Sequence, residues 1–162
     1  MPGAKFAMLG TVSPNPLLRY LLAREEYWAT QQGLELVGEV DAQQDNPAAW
    51  ATAGTTLSQK YPDLDVVVTY NDASAIAAIN AIRSAGNSSI VVANSNGYQT
   101  TAPAAIEDGR MIASYAIPWD EKGRVMAIAA YNAWRGTDYP EIIAVQGQVV
   151  TKENVGEVTP IG

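Results

Sequence analysis

The chain reads as a three-layer α/β sandwich on a mostly parallel open sheet, and three observations carry that reading. Apolar runs of strand length alternate with amphipathic helical stretches five times before residue 117, the order that gives parallel strands joined by helical crossovers. Val66, Val67 and Val68 form a β-branched run without alternation, as in a strand buried on both faces. Several strands end in a polar corner, Tyr70, Asn71 and Asp72 being the clearest, at the edge of the sheet where ligands of such domains bind.

Taken in order, Lys5 to Val12 is a first strand, and Thr11 to Pro16 a loop whose prolines delay the next helix. That helix, from about Leu17 to Gln32, has Leu18, Leu21, Leu22 and Trp28 as its expected buried face. Arg24, Glu25 and Glu26 crowd one of its turns, where they suit either solvent or a site. Gly33 ends it, and Leu34 to Val40 alternates as a second strand. In DAQQDNPAAW, Asn46 caps a second helix with Pro47 at its first position, and Trp50, Leu57 and Tyr61 mark its inner face.

The third strand runs into a helix that Asp72 is placed to cap, with Ile76, Ile79 and Ile82 as its apolar stripe and Gly86 as a left-handed stop. Ser89 to Ala93 is a fourth strand, ending at Asn94, Ser95, Asn96 and Gly97. A short helix from Thr101 to Asp108 closes at Gly109, and Met111 to Ala116 is a fifth strand ending at Ile117, Pro118 and Trp119. The helix from Asp120 to Arg135 is apolar on nearly every side, which calls for burial on more than one. Gly136 caps it, and Ile142 to Val150 is expected to form the last strand. A closed barrel is excluded, because eight such units need about 250 residues.

Composition narrows the chemistry. With 162 residues, 48% of them hydrophobic, one domain with a real core is expected. A net charge of −7 disfavours nucleic acid as a partner. There is neither Cys nor His, which removes thiol nucleophiles, histidine bases, the usual zinc sites and disulfides together. No catalytic residue, metal or cofactor is expected. The opening MPGAKFAMLG lacks the basic start, apolar stretch and cleavage site of a secretory signal, and no apolar run reaches the roughly 20 residues that span a bilayer.

The runs YPDLDVVVTYNDASAIAAINAIRSAG, VVANSNG, EDGRMIASYAIPWDEKG and VTKENV resemble the second lobe of periplasmic sugar-binding proteins of the ribose-binding type, the receptors of ABC importers. The resemblance extends over nearly the whole chain and is most specific from Tyr61 to Val155. It implies one lobe of a type I periplasmic binding protein: a βα core over 1–116, a crossover and helix over 117–140 that would pack on a first lobe, and a returning strand and tail over 141–162. It also implies a parent protein outside the cytoplasm, in the periplasm or beyond the cell, that delivers a small sugar to an ABC permease.

By the same resemblance Asn71 holds the place of an amide that bonds sugar hydroxyls, Asn96 that of a residue usually Asp, and Arg24, four residues before Trp28, that of an arginine on the first helix. Gln44 falls where an aromatic often stacks on the sugar and Ile117 where a Gln often donates, while Trp119 offers a replacement stacking face. From strand positions alone, Ser13, Gln44, Asn71 and Asn96 share the carboxyl edge, with Asp72 beside them, a set of hydroxyl and amide groups suited to a polyol. Turn and cap roles account for the same residues one at a time.

Two other readings compete. The effector core of a sugar-responsive transcription regulator has the same fold, but the segments GNSSIVVANSNG and GRMIASYA depart from the pattern of those cores. An enzyme would rest on Asp72, Asp120 or the Glu25 and Glu26 pair, acids that caps and solvated faces explain more cheaply; there is neither a GxSxG elbow nor a Walker A sequence. If half of the sugar contacts belong to another lobe, this lobe alone binds weakly. The helix at 120–135, short of cover, is then expected to pair two copies into a homodimer.

Overall fold

The structure, a computed structural model, describes residues 3–11, 16–43 and 46–161, Thr11 by its backbone alone. In chain order the elements are β1 (Lys5–Thr11), α1 (Pro16–Gln31), β2 (Glu35–Ala42), α2 (Pro47–Lys60), β3 (Val66–Thr69), α3 (Asp72–Ser84), β4 (Val91–Asn94), α4 (Ala102–Glu107), β5 (Met111–Ala116), α5 (Trp119–Arg135) and β6 (Gln148–Val150). The strands form one sheet in the order β2-β1-β3-β4-β5-β6, parallel throughout except that β6 runs antiparallel to β5. This is the expected α/β architecture. The order reverses between β1 and β3, so the switch point lies at the carboxyl ends of these two strands, where the corner at Tyr70 to Asp72 begins.

Phe6, Ala7, Met8 and Leu9 are all buried, which in a strand requires cover on both faces. One face is closed by α2 and α3, packed side by side through Trp50, Ala53 and Leu57 on one helix and Ala75, Ala78 and Ile79 on the other. The stripe on α3 is as expected at Ile79 and Ile82, with Ile76 half-buried beside them. Gly86, at φ 95°, ends α3 in a Schellman turn in which its own N–H donates to the Arg83 carbonyl and that of Asn87 to the Ile82 carbonyl.

The other face is covered by α1 over β1 and β2. From β3 outward that cover thins. On the α1 side Val68, Val91, Ala93, Ala113 and Tyr115 are only half-buried, and Val149 of β6 is exposed. The opposite-facing Val67, Thr69, Val92 and Ser114 are fully enclosed.

Four sequence expectations are corrected. Leu18 and Leu22 are buried on α1, but Trp28 is 56% exposed. At 100° per residue the inward line is Leu18, Leu22, Glu25 and Ala29, and Trp28 falls to its flank. Asn71, not Asp72, caps α3, its Oδ1 accepting from the Ser74 N–H at 2.8 Å. The last strand spans only Gln148–Val150, because Ala116 pairs with Gln148 and residues before it run past the end of β5 with no strand beside them.

The fourth correction concerns α5. It has no buried residue, and Trp134, Met126 and Tyr131 are 78%, 63% and 57% exposed. Its half-buried line, including Val125 and Ala129, faces Ile143 and Val145 of the returning chain across a cleft of about 420 Å³. The burial that its composition calls for is not met among the described residues.

The tail folds back over the carboxyl edge. The Tyr98 hydroxyl donates to the Val155 carbonyl at 2.9 Å, and the Ile161 N–H donates to the Tyr98 carbonyl at 2.9 Å. Tyr98 itself is buried at a positive φ of 69°, an uncommon conformation for a residue with a side chain.

A polar corner at the carboxyl edge of the sheet

Parallel register brings the ends of β3 and β4 level, Thr69 opposite Asn94, so the two following corners share one edge. Asn71 stands at the first. Its extended backbone (φ −153°, ψ 166°) lets Oδ1 cap α3, while its carbonyl accepts from the hydroxyls of Thr69 at 3.1 Å and Ser74 at 2.9 Å. Backbone and Oδ1 are thereby fixed, and Nδ2 has no hydrogen-bond partner among the described residues. Tyr70, before it, is buried edge-on to Trp50, with ring centroids 6.0 Å apart.

Asp72 is fully buried and orders the corner from within. Its Oδ1 accepts from the Ser114 hydroxyl at 2.9 Å and from Asn94 Nδ2, and its Oδ2 accepts from the Gln99 N–H at 2.6 Å. Asn94 Oδ1 in turn accepts from the Asn96 N–H at 3.0 Å. One interior carboxylate thus ties the ends of β4 and β5 to the start of α3. A Cβ on Gly97 would overlap that carboxylate, so the backbone passes here only without a side chain. Asp72 was expected among the ligand-facing residues; with no exposed surface it serves the scaffold instead.

Asn96, half-buried, presents a side chain with no hydrogen bond among the described residues. Asn71 and Asn96 are the two expected residues that follow neighbouring strands with level ends on this edge. Arg24 lies elsewhere, on the third turn of α1, with its guanidinium 4.6 Å from the Tyr27 ring centroid and 5.6 Å from that of Trp28. Ile117 lines the cleft under α5. Trp119 opens α5 with the Lys122 ammonium 4.5 Å over its ring, so one face of that expected stacking platform already holds a cation. Ser13 and Gln44 lie outside the described residues.

A second cleft of about 420 Å³ runs between α1 and the open part of the sheet, lined by Leu21, Glu25, Trp28, Ser95, Tyr115 and Val149 among others. Neither Asn71 nor Asn96 lines it. Glu25 was one of three charges left open between solvent and a site; it points inward while Arg24 and Glu26 are exposed. Burial pushes its carboxyl up to about 7, and the nearby Ser95 hydroxyl draws it partly back. Neither carboxylate oxygen, nor Ser95 Oγ, has a hydrogen bond of normal geometry among the described residues. The signal was present in the sequence, since Glu25 follows Leu18 and Leu22 at helical spacing on the apolar line.

The fold defines a class: it is the fold of about half of an ABC transporter solute-binding protein. Three solved structures show the likeness. A periplasmic solute-binding protein from Actinobacillus succinogenes with bound D-allose matches at TM-score 0.83 and 17% identity, over 96% of this chain and 55% of that one. One from Mycobacterium smegmatis with bound glycerol matches at 0.80 and 22%, over 96% and 54%. One from Agrobacterium vitis with bound D-fucose matches at 0.80 and 20%, over 95% and 53%. This chain therefore spans about half the length of the structures it matches. No family model and no curated protein sequence matches it. Among the described residues no helix is long and apolar enough to cross a membrane.

Proposed function

We propose that this chain is a non-catalytic carbohydrate-binding lobe of an ABC importer receptor, with a small sugar or polyol held at the carboxyl edge by Asn71 and Asn96. The observation that carries this reading is the Asn71 amide. Its oxygen and backbone are held at the start of α3 while its Nδ2 has no partner among the described residues, and Asn96, at the end of the neighbouring strand, carries a second amide with none among them. Such fixed neutral donors and acceptors suit hydroxyl groups, and the related folds that hold D-allose, D-fucose and glycerol support the ligand class. Arg24, Ile117 and Trp119, with Ser13 and Gln44, are proposed as outer contacts. The parent protein would work with an ABC permease outside the cytoplasm, and two copies of this chain would pair through α5.

Half of a micromolar site leaves about 4.1 kcal/mol, roughly a millimolar constant. Chemical-shift titration with D-allose, D-fucose and glycerol is expected to move the Asn71 and Asn96 side-chain amides first, at about that constant. Submicromolar binding by the monomer, or shifts confined to other edges, would refute this proposal.

A further inference from the structure

The loop after β4 holds the chain's one Asn–Gly pair, Asn96–Gly97. In such a pair no side chain shields the second nitrogen, and an asparagine amide with nothing bound to it is open to attack from there. The fold treats the two halves of that reaction differently. The Asn96 side chain, half-buried, has no hydrogen bond among the described residues. The Gly97 nitrogen is fixed: its N–H donates to the Tyr115 carbonyl at 3.0 Å, in a bridge that sets Gly97 parallel to Ala116.

The backbone on either side is tied as well. The Asn96 N–H donates to Asn94 Oδ1 at 3.0 Å and the Gln99 N–H to Asp72 Oδ2 at 2.6 Å. From the tail, the Ile161 N–H donates to the Tyr98 carbonyl at 2.9 Å, the Ile161 carbonyl accepts from the Thr100 N–H at 3.1 Å, and the Tyr98 hydroxyl donates to the Val155 carbonyl. Charge adds to the restraint. Gly97 lies against the buried Asp72 carboxylate, where a Cβ would overlap it, so an anion forming at the Gly97 nitrogen would face a like charge.

We propose that Asn96 is a site of spontaneous deamidation, gated by the clasp between Tyr98 and the tail. In the reaction the Gly97 nitrogen gives up its proton and bonds to Asn96 Cγ, and the side-chain amide nitrogen leaves with that proton as ammonia. Water then opens the five-membered imide at either carbonyl, leaving aspartate or isoaspartate at position 96. One water enters, one ammonia departs, and nothing is oxidised or reduced. The hydrogen bond at Gly97 must open first, so the rate follows the population of the opened loop. Either product removes the amide donors of Asn96 and adds a negative charge to the loop that crosses Asp72. The proposal is independent of what this edge binds.

The test incubates the full chain at mildly alkaline pH, in buffer and in denaturing urea, and follows each asparagine by peptide mass spectrometry. In urea Asn96 is expected to convert first among the asparagines, and in buffer far more slowly. Tyr98→Phe deletes the hydroxyl that binds Val155; with one hydrogen bond gone, Asn96 is expected to convert roughly fivefold faster in buffer. Asn87–Ser88, on the turn after α3, is the internal control and is expected to keep its rate. Equal rates for Asn96 in buffer and in urea would overturn the protection, and an unchanged rate in Tyr98→Phe would overturn the gate. Acceleration of Asn87 together with Asn96 would show general loosening and overturn the gate too. Circular dichroism checks folding. Should Tyr98→Phe not fold, Ile161→Pro, which removes the N–H bonded to the Tyr98 carbonyl, repeats the test with the same outcomes.

Discussion

Replacing Glu25 by Gln isolates a pH-dependent loss of stability located in the open groove. Burial raises the Glu25 carboxyl from the ordinary 4.5 to about 7 in the folded chain. Between those values the unfolded chain has released a proton that the folded chain keeps. Stability due to this group is therefore full below the unfolded value, falls as pH climbs through the interval, and stays at its lowest above about 7. At about 1.36 kcal/mol for each pH unit, the interval corresponds to about 3 kcal/mol. For a domain of this size that is a fall in melting temperature of about 6 to 12 °C. Gln keeps the shape and cannot ionise. The assay is urea unfolding of wild type and Glu25→Gln at about pH 5 and about pH 8, at protein concentrations low enough to hold the chain monomeric. The two are expected to be close at the lower pH and to separate at the higher, with the variant the more stable. Curves that stay parallel, or a wild type that gains on the variant as pH rises, would show that the carboxylate is solvated or already partnered.

Three other outcomes follow from the corner and the returning chain. Asn71→Asp retains an oxygen to cap α3 but loses the amide donor, so it is expected to stay folded and to weaken sugar binding by about 1 kcal/mol or more; Asn71→Ala loses the cap too, at about 1 kcal/mol of stability. Titration and melting of the pair separate the two roles, and equal sugar affinity in all three proteins would return Asn71 to capping alone. Asp72→Ala removes the acceptor shared by the buried Asn94 amide and Ser114 hydroxyl and by the Gln99 N–H, and is expected to destabilise by about 3 kcal/mol or more in urea. Gly147 donates its N–H to the Tyr115 hydroxyl at 2.9 Å where a Cβ would meet that ring at 2.7 Å. Gly147→Val is expected to loosen β6 from β5, read as faster amide exchange at Val149 and Val150, and unchanged protection there would show that the close approach is soft.

The core of the fold was legible because its signals are local. β-Branched runs, Asn46 with Pro47, and Gly86 each act within a few residues, and the structure follows them closely. The misreadings came where a neighbour decides. Asn71 and Asp72 are both competent caps, and which one turns inward depends on Asn94, Ser114 and Gln99, residues distant in sequence that only the sheet brings together. The early part of 142–150 has strand composition but β5 ends too soon to pair with it. Trp28 and Glu25 were assigned by hydrophobicity rather than by angle, so the tryptophan was expected inside and the acid was left open. Of the site, the shared edge of Asn71 and Asn96 could be read from strand ends, whereas the positions of Arg24 and Trp119 depend on helices whose neighbours the sequence does not announce.

The clasp on Tyr98 sets an order of events when the chain is made. Tyr98 is held in its left-handed conformation by partners at Val155 and Ile161, the nearer 57 residues later in the chain. At ribosomal speeds of about 5 to 20 residues per second, that separation is a delay of about 3 to 12 seconds. Helices form in about a microsecond. The βα units up to β5 thus have ample time to collapse while the edge beside Asn96 is still without its fastening, and the polar corner is the last part of this fold to be clasped.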